Sequence, residues 1–391
     1  MDFTVPESTN RIRSEVRELL ESDLLQSELR SIADREDGLD GDARESYRLM
    51  GERRLLAADW PPEYGGQGLG FTESAAVVEE MARKGIPLSL YFITVQIVGR
   101  LLLSRGTAEQ RERLLPAIAR GELFACILFT EPGVGSDLAA VTTRAVRDGD
   151  GWTLSGHKRF NLKTSYADVA LCVARTEQNT NRYEGLTLFL VPLDHPGVRV
   201  RPLRSLADEH FHDVLLTGVR VGPEAVVGAP NAAWSLISAM FAGERSGFDY
   251  YARGLGWIER AAEILRSGPA DDHARVGLAR HWARLDAGRL LALRVLQRLH
   301  EGEPDTTEAS LAKWYCSQTA QSTAWWAAET LAGAGDDPLL APASREAAGM
   351  TISGGASEVL LETIVAARLL DSSPGETPGR AAPVPLEPPS P

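Results

Sequence analysis

The chain has little of what several classes of protein require. Its 391 residues include three cysteines, Cys126, Cys172 and Cys316, far apart and without metal-ligand spacing, which argues for reduced structural thiols rather than a disulfide framework or a zinc site. His210 and His212 flank Phe211 but meet no third ligand at that spacing, so no metal is expected. No apolar run is long enough to span a bilayer, and the first seven residues have no basic stretch followed by an apolar one. The expected setting is therefore the cytoplasm, with no membrane partner. Lys and Arg number 41 against 54 Asp and Glu, a net charge of -13, and they gather into no stripe, which argues against a nucleic-acid partner. No internal repeat is visible. What is present, 43% apolar and 24% charged residues, reads as a soluble globular chain with length for two or three structural units.

Periodicity divides that length. Over 9–122 apolar residues recur at three and four, as in Ile12-Val16-Leu19-Leu20 and Ala75-Val78-Met81, which predicts helices. A loop must interrupt them at Trp60-Pro61-Pro62-Glu63-Tyr64-Gly65-Gly66-Gln67-Gly68, pinned to neighbouring helices by its aromatics. A buried helix is expected over 89–103, and Thr107 with Gln110 reads as a capping box opening the next. After Phe124 the period becomes two: 126–129, 142–146, 151–154, 169–174, 186–191, 198–200 and 213–216 read as short strands of a compact antiparallel barrel or sandwich. From Trp234 the helical period returns and runs to about Leu370, where a Pro-rich tail begins. Trp325 and Trp326 are expected to pack helix against helix.

Two glycine-bearing loops stand out. Phe129-Thr130-Glu131-Pro132-Gly133-Val134-Gly135-Ser136-Asp137 cannot be helical. It is either an ordinary turn or a loop whose amides and hydroxyls meet an anion. The second is Gly354-Gly355-Ala356-Ser357-Glu358. Between them lies Glu244-Arg245, which on spacing alone is a pair on any solvated helix face.

Together with Gly106-Thr107-Ala108-Glu109-Gln110, Gly156-His157-Lys158 and Ala167-Asp168, these segments resemble, in order and spacing, the flavin-dependent acyl-CoA dehydrogenases. The resemblance implies an α+β fold: an N-terminal helical domain over 1–123, a middle antiparallel β-barrel domain over 124–230, a C-terminal four-helix bundle over 231–371 and a disordered tail over 372–391. It also implies FAD, held by Phe129, Thr130, Gly135, Ser136, Phe160, Leu162 and Gly355, with the Thr130 hydroxyl near the ring and Ser136 near the pyrophosphate. The implied reaction removes a proton from Cα of an acyl thioester while hydride leaves Cβ for flavin N5. In many members the base immediately precedes the glycine of the C-terminal loop, where this chain has Gly354. A branch resembling the isovaleryl-type, long-chain and actinobacterial enzymes carries it instead in a Glu-Arg pair, so Glu244 is the expected base. Gly354 or its neighbours would offer an amide to the thioester oxygen, and Arg245 and Tyr250 are expected at the substrate. Burial beneath the flavin is expected to raise the pKa of the base.

The resemblance implies as partners an acyl-CoA or acyl-carrier-protein substrate, electron-transfer flavoprotein or oxygen as acceptor, and a homodimer or homotetramer, with a place in lipid or secondary metabolism. Two departures qualify it. Leu162 stands where the family has a hydroxyl residue that contacts flavin N5, and 266–272 is shorter than its family counterpart, leaving only Arg266 and Arg275 as local basic candidates. They keep alternatives open: a catalytically degenerate or flavin-poor subunit of a heteromer, or altered chemistry on the same fold.

Overall fold

The computed structural model describes residues 6–33, 43–178, 181–207, 210–268, 272–331 and 335–370, with backbone alone at 242–244 and 369–370. The expectations for the 372–391 tail and for 269–271 lie outside the described residues.

The N-terminal third contains α1 (Glu7–Leu20), α2 (Asp23–Ala33), α3 (Arg44–Glu52) and α4 (Phe71–Arg83). α1 buries Ile12, Val16, Leu19 and Leu20 along one face, as their spacing predicts. α4 is buried on nearly every side, and three of its buried residues are carboxylates, Glu73, which accepts from Ser8 and Thr72, and Glu79 and Glu80. Burial of that charge is tolerable only when it is paired. Glu80 takes Arg13 at 3.0 Å and Arg17 at 2.6 Å, and Glu79 takes Arg289 at 2.8 Å. Arg289 comes from the C-terminal helices, so the pair fastens the two ends of the chain together. The Trp60 loop makes a 3-10 turn over Pro62–Tyr64, and Trp60 is buried against Gly99, the aromatic pin expected. α5 (Ser89–Tyr91), π-helical turns over Phe92–Gly99 and α6 (Arg100–Arg105) follow without a break. α7 (Ala108–Ala119) opens with the predicted capping box.

The middle of the chain forms β1 (Ala125–Leu128), β2 (Arg144–Asp148), β3 (Gly151–Leu162), β4 (Val169–Arg175), β5 (Leu186–Pro192), β6 (Val198–Leu203), β7 (Phe211–Val221) and β8 (Val226–Val227). They join in the order β6-β7-β3-β2-β4-β5-β8, with β1 beside β4. The expectation of a purely antiparallel unit is corrected here: β1 and β2 both run parallel to β4. Parallel neighbours need a long connection, and the chain between Leu128 and Val169, which includes two strands and the Thr130 loop, supplies one. Leu154, Cys172, Phe189, Val214 and Leu216 fill the interior.

Among the described residues six helices close the fold: α8 (Ala233–Glu244), α9 (Phe248–Ser267), α10 (Asp272–His300), α11 (Thr306–Thr330), α12 (Leu340–Met350) and α13 (Ser357–Val365). α9, α10 and α11 pack on one another, and α12 and α13 lie on α11. α11 buries Ala309, Ala312, Cys316, Ala320, Ala324 and Ala327, small side chains that allow close approach. Trp326 stacks on His281 at 5.1 Å, and Trp325, though 42% exposed, donates its Nε1 to Ser344 O of α12 at 3.2 Å, so both join helix to helix as expected. No described helix is long and apolar enough to cross a membrane.

Candidate active site

The Thr130 loop is shaped by a residue that the sequence reading treated only as part of a motif. Glu131 is 2% exposed. Its carboxylate accepts from Thr142 N at 2.7 Å, Thr142 Oγ1 at 2.6 Å, Thr143 N at 2.9 Å and Lys158 Nζ at 2.9 Å. Lys158 is wholly buried and also donates to Phe129 O at 3.2 Å. Burial pushes the Glu131 pKa up, but the Lys158 ammonium and the two threonines pull harder and bring it to about 2. Reciprocal bonds between the Glu131 and Val134 backbones close the turn at 3.0 and 2.9 Å, with Gly133 at φ +83°.

With the base of the loop fixed, its crest is exposed. Gly135 and Ser136 face solvent, and a Cβ added at Gly133 or Gly135 would meet nothing within 4 Å. Among the described residues no group accepts from the amides of Gly135 and Ser136 or from the hydroxyls of Thr130 and Ser136. This donor set fits the oxygens of a flavin and its pyrophosphate.

The next wall is a β-bulge. Pairing of β3 with β7 slips between Lys158 and Asn161, so Arg159 and Phe160 stand against Asp213 alone and the side chains are re-aimed. Arg159 N donates to Thr130 O at 2.8 Å, tying the bulge to the loop. Phe160 sits at φ +57°, a conformation unfavourable for a bulky residue, and its side chain is 57% exposed. It meets Phe211 edge-on at 6.5 Å. Leu162 is half-buried and brings no donor.

The opposite wall comes from the C-terminal part of the chain. Phe129 meets Phe241 of α8 at 6.4 Å, so the loop abuts that helix. Glu244 closes α8, and its side chain lies outside what the structure describes. The chain then turns at Gly247 and begins α9. Tyr250 is therefore in the first turn of a helix separate from the one that Glu244 ends. Arg245 Nε donates to Gly354 O at 3.3 Å, and its guanidinium lies over Phe241 at 4.9 Å. Tyr250 Oη donates to Ser353 O at 3.2 Å. Gly354 and Gly355 adopt φ +64° and +109°, values that L side chains rarely reach. Arg245 and Tyr250, expected at the substrate, are both bonded to this loop.

Sequence reasoning missed Lys313, which is wholly buried on α11 and donates to Gly355 O at 2.8 Å. It missed Lys158 as a loop anchor too, because neither partner of that pair is near the other in sequence. Among the described residues no group of three His, Cys, Asp or Glu could hold a metal ion.

Comparison with known proteins agrees with this layout. Residues 6–122 match the N-terminal domain of acyl-CoA dehydrogenases, 126–219 the middle domain and 256–370 the C-terminal domain. The stretch 220–255, with Glu244, Arg245 and Tyr250, lies between matches. Acyl-CoA dehydrogenase IpdE1 of Mycobacterium tuberculosis is 34% identical over 293 residues, 71% of this chain and 76% of that protein. FadE34 of the same organism is 33% identical over 82% of this chain, which spans 45% of its length. The solved structure described as "Tcur3481-Tcur3483 steroid ACAD" is 30% identical with a TM-score of 0.85, covering 94% of this chain and 98% of that one.

Proposed function

The chain belongs to the acyl-CoA dehydrogenase family, flavoprotein oxidoreductases acting on CH–CH groups, and from that premise we propose that it desaturates an acyl thioester between Cα and Cβ with Glu244 as the base. Bound FAD would supply the acceptor for the hydride that leaves Cβ, and Phe129, Thr130, Gly135, Ser136, Phe160, Leu162 and Gly355 are the residues that would hold it. Glu244 takes the proton from Cα. Gly354, without a side chain, leaves room for a carboxylate reaching from the α8 side. The Gly354 amide, or a neighbour, meets the thioester oxygen as negative charge builds on it, an interaction worth about 3–4 kcal/mol per donor. Phe160 would cover the flavin ring and keep water from one face.

One observation carries the base assignment: the Arg245 Nε to Gly354 O bond at 3.3 Å, which supports bringing the end of α8 to the C-terminal loop. The substrate is a CoA or carrier-protein thioester, the acceptor electron-transfer flavoprotein or oxygen, and the setting the cytoplasm.

A second reading is favoured by Leu162 and by the short connection between α9 and α10: the chain serves as a subunit paired with an unlike partner. The similar steroid enzyme named above carries two gene designations in its description. Purification and anaerobic mixing with butyryl-, octanoyl-, isobutyryl- and cyclohexanecarbonyl-CoA decide between the readings. Yellow protein bleached by one thioester supports the enzyme acting on its own. Colourless protein that refuses added FAD overturns it in favour of the paired subunit.

A further inference from the structure

Three successive peptide groups of the C-terminal loop are held at their carbonyls by three different side chains. Tyr250 Oη binds Ser353 O at 3.2 Å, Arg245 Nε binds Gly354 O at 3.3 Å, and Lys313 Nζ binds Gly355 O at 2.8 Å. In a trans peptide the N–H points away from the C=O of the same plane. The amides of Gly354, Gly355 and Ala356 are therefore turned away from those side chains. Among the described residues none of the three amides has an acceptor, and the positive φ of Gly354 and Gly355 lets successive N–H groups converge on one negatively charged atom.

Lys313 does more than close one bond. Its ammonium also donates to Met350 O at 3.1 Å, so it spans the loop from the end of α12 to Gly355. It lies 5.0 Å from the centroid of the Tyr250 ring, which bears on the Ser353–Gly354 peptide. Burying an ammonium is costly unless it is paired or hydrogen-bonded, and the residues around it on α11 are small and uncharged: Ala309, Ser310, Ala312, Cys316 and Ser317 are all buried. Burial raises the pKa of Asp249 on α9, and Arg253 and the Lys313 ammonium oppose that rise. What the ammonium adds is a fixed orientation for the loop and polarisation of the Gly355–Ala356 peptide.

We infer that Lys313 is a positioning residue for the reaction: with Tyr250 it fixes the loop so that the Gly354 amide faces the thioester oxygen. The inference rests on the acyl-thioester reading above. It is tested with FAD-loaded wild type, Lys313→Met, Tyr250→Phe and Glu244→Gln. Tyr250→Phe keeps the ring beside the ammonium, so its fold is expected to persist even where Lys313→Met fails to fold. The probe is the panel thioester that bleaches the wild type, labelled with 13C at the carbonyl.

Two readouts are used: the infrared shift of the labelled carbonyl on binding, and anaerobic exchange of α-protons into D2O. Hydrogen bonding to the carbonyl lowers its stretching frequency, so wild type and Glu244→Gln both show a downshift. Lys313→Met loses most of that downshift and slows exchange by about 10²-fold, while its thioester Kd changes by less than about threefold. Tyr250→Phe loses part of the downshift and about tenfold in exchange. A full downshift in either variant, with Glu244→Gln still unable to exchange, overturns the role of Lys313 and leaves the reaction standing. Wild type that gives neither downshift nor exchange with any panel member overturns both.

Discussion

Replacing Lys158 by methionine removes the cation that holds the base of the Thr130 loop while nearly preserving side-chain volume. In the native protein the ammonium and the Glu131 carboxylate are 2.9 Å apart with side chains 0% and 2% exposed. Breaking a buried pair from one side strands the other charge, which typically costs about 3–5 kcal/mol. Glu131 keeps its bonds from Thr142 and Thr143, so the lower part of that range is expected. For a chain of this length melting as one unit, the loss corresponds to a Tm drop of roughly 4 °C. The loop should also loosen at Phe129, whose carbonyl loses its lysine donor, and FAD should bind at least about tenfold more weakly, equivalent to about 1.4 kcal/mol. The double variant Lys158→Met, Glu131→Gln removes both charges and keeps an amide oxygen for the two Thr142 donors. It should regain most of the lost stability, because replacing both partners avoids the stranded charge. Calorimetry of the four proteins with flavin titration checks this. A single-variant loss below about 1 kcal/mol, or a double variant as unstable as the two single losses combined, refutes the role given to the pair.

Acid unfolding offers a second check. The Glu131 pKa is about 2 in the folded protein against about 4.3 for an ordinary glutamate. A depressed folded pKa contributes stability that is fully present above the unfolded value and is lost as pH falls through the folded one. Glu131→Gln should therefore flatten the decline of Tm between about pH 4.5 and 2, and an unchanged slope would count against the assignment. Phe160 gives a third: Phe160→Gly relieves the strain of a bulky residue at φ +57°, so flavin-free protein should gain about 1 kcal/mol while flavin affinity falls. A variant that loses both stability and affinity would show that the ring packs for the fold rather than for a ligand.

The parts of this architecture legible in the sequence are those whose physics is local. Thr107 and Gln110 are three residues apart and complete a capping box. Ile12, Val16, Leu19 and Leu20 share a helix face by spacing alone. The loop from Thr130 to Asp137 announces itself through Pro132 and its glycines. Illegible were features made by residues far apart. The parallel register of Ala125 with Val169 and of Leu128 with Cys172 leaves no short-range trace. β3 was read only as far as Leu154, although it continues to Leu162, because the bulge at Arg159 and Phe160 breaks the alternation that marks a strand. The break between α8 and α9 was missed for a related reason: apolar spacing continues across Arg245, Ser246 and Gly247 although the helix does not. Glu131 and Lys158 both read as polar motif residues, and only folding shows them buried together. Lys313 gave no signal, since a lysine on a helix is ordinarily at the surface.

Glu244 as the base is tested most directly by anaerobic mixing of FAD-loaded wild type and Glu244→Gln with the thioester that bleaches the wild type, followed by flavin absorbance in a stopped-flow instrument. The variant should bind the thioester with a Kd within about threefold of wild type but reduce flavin about 10³-fold more slowly, as expected for loss of an essential base. Equal bleaching rates in the two proteins would contradict it.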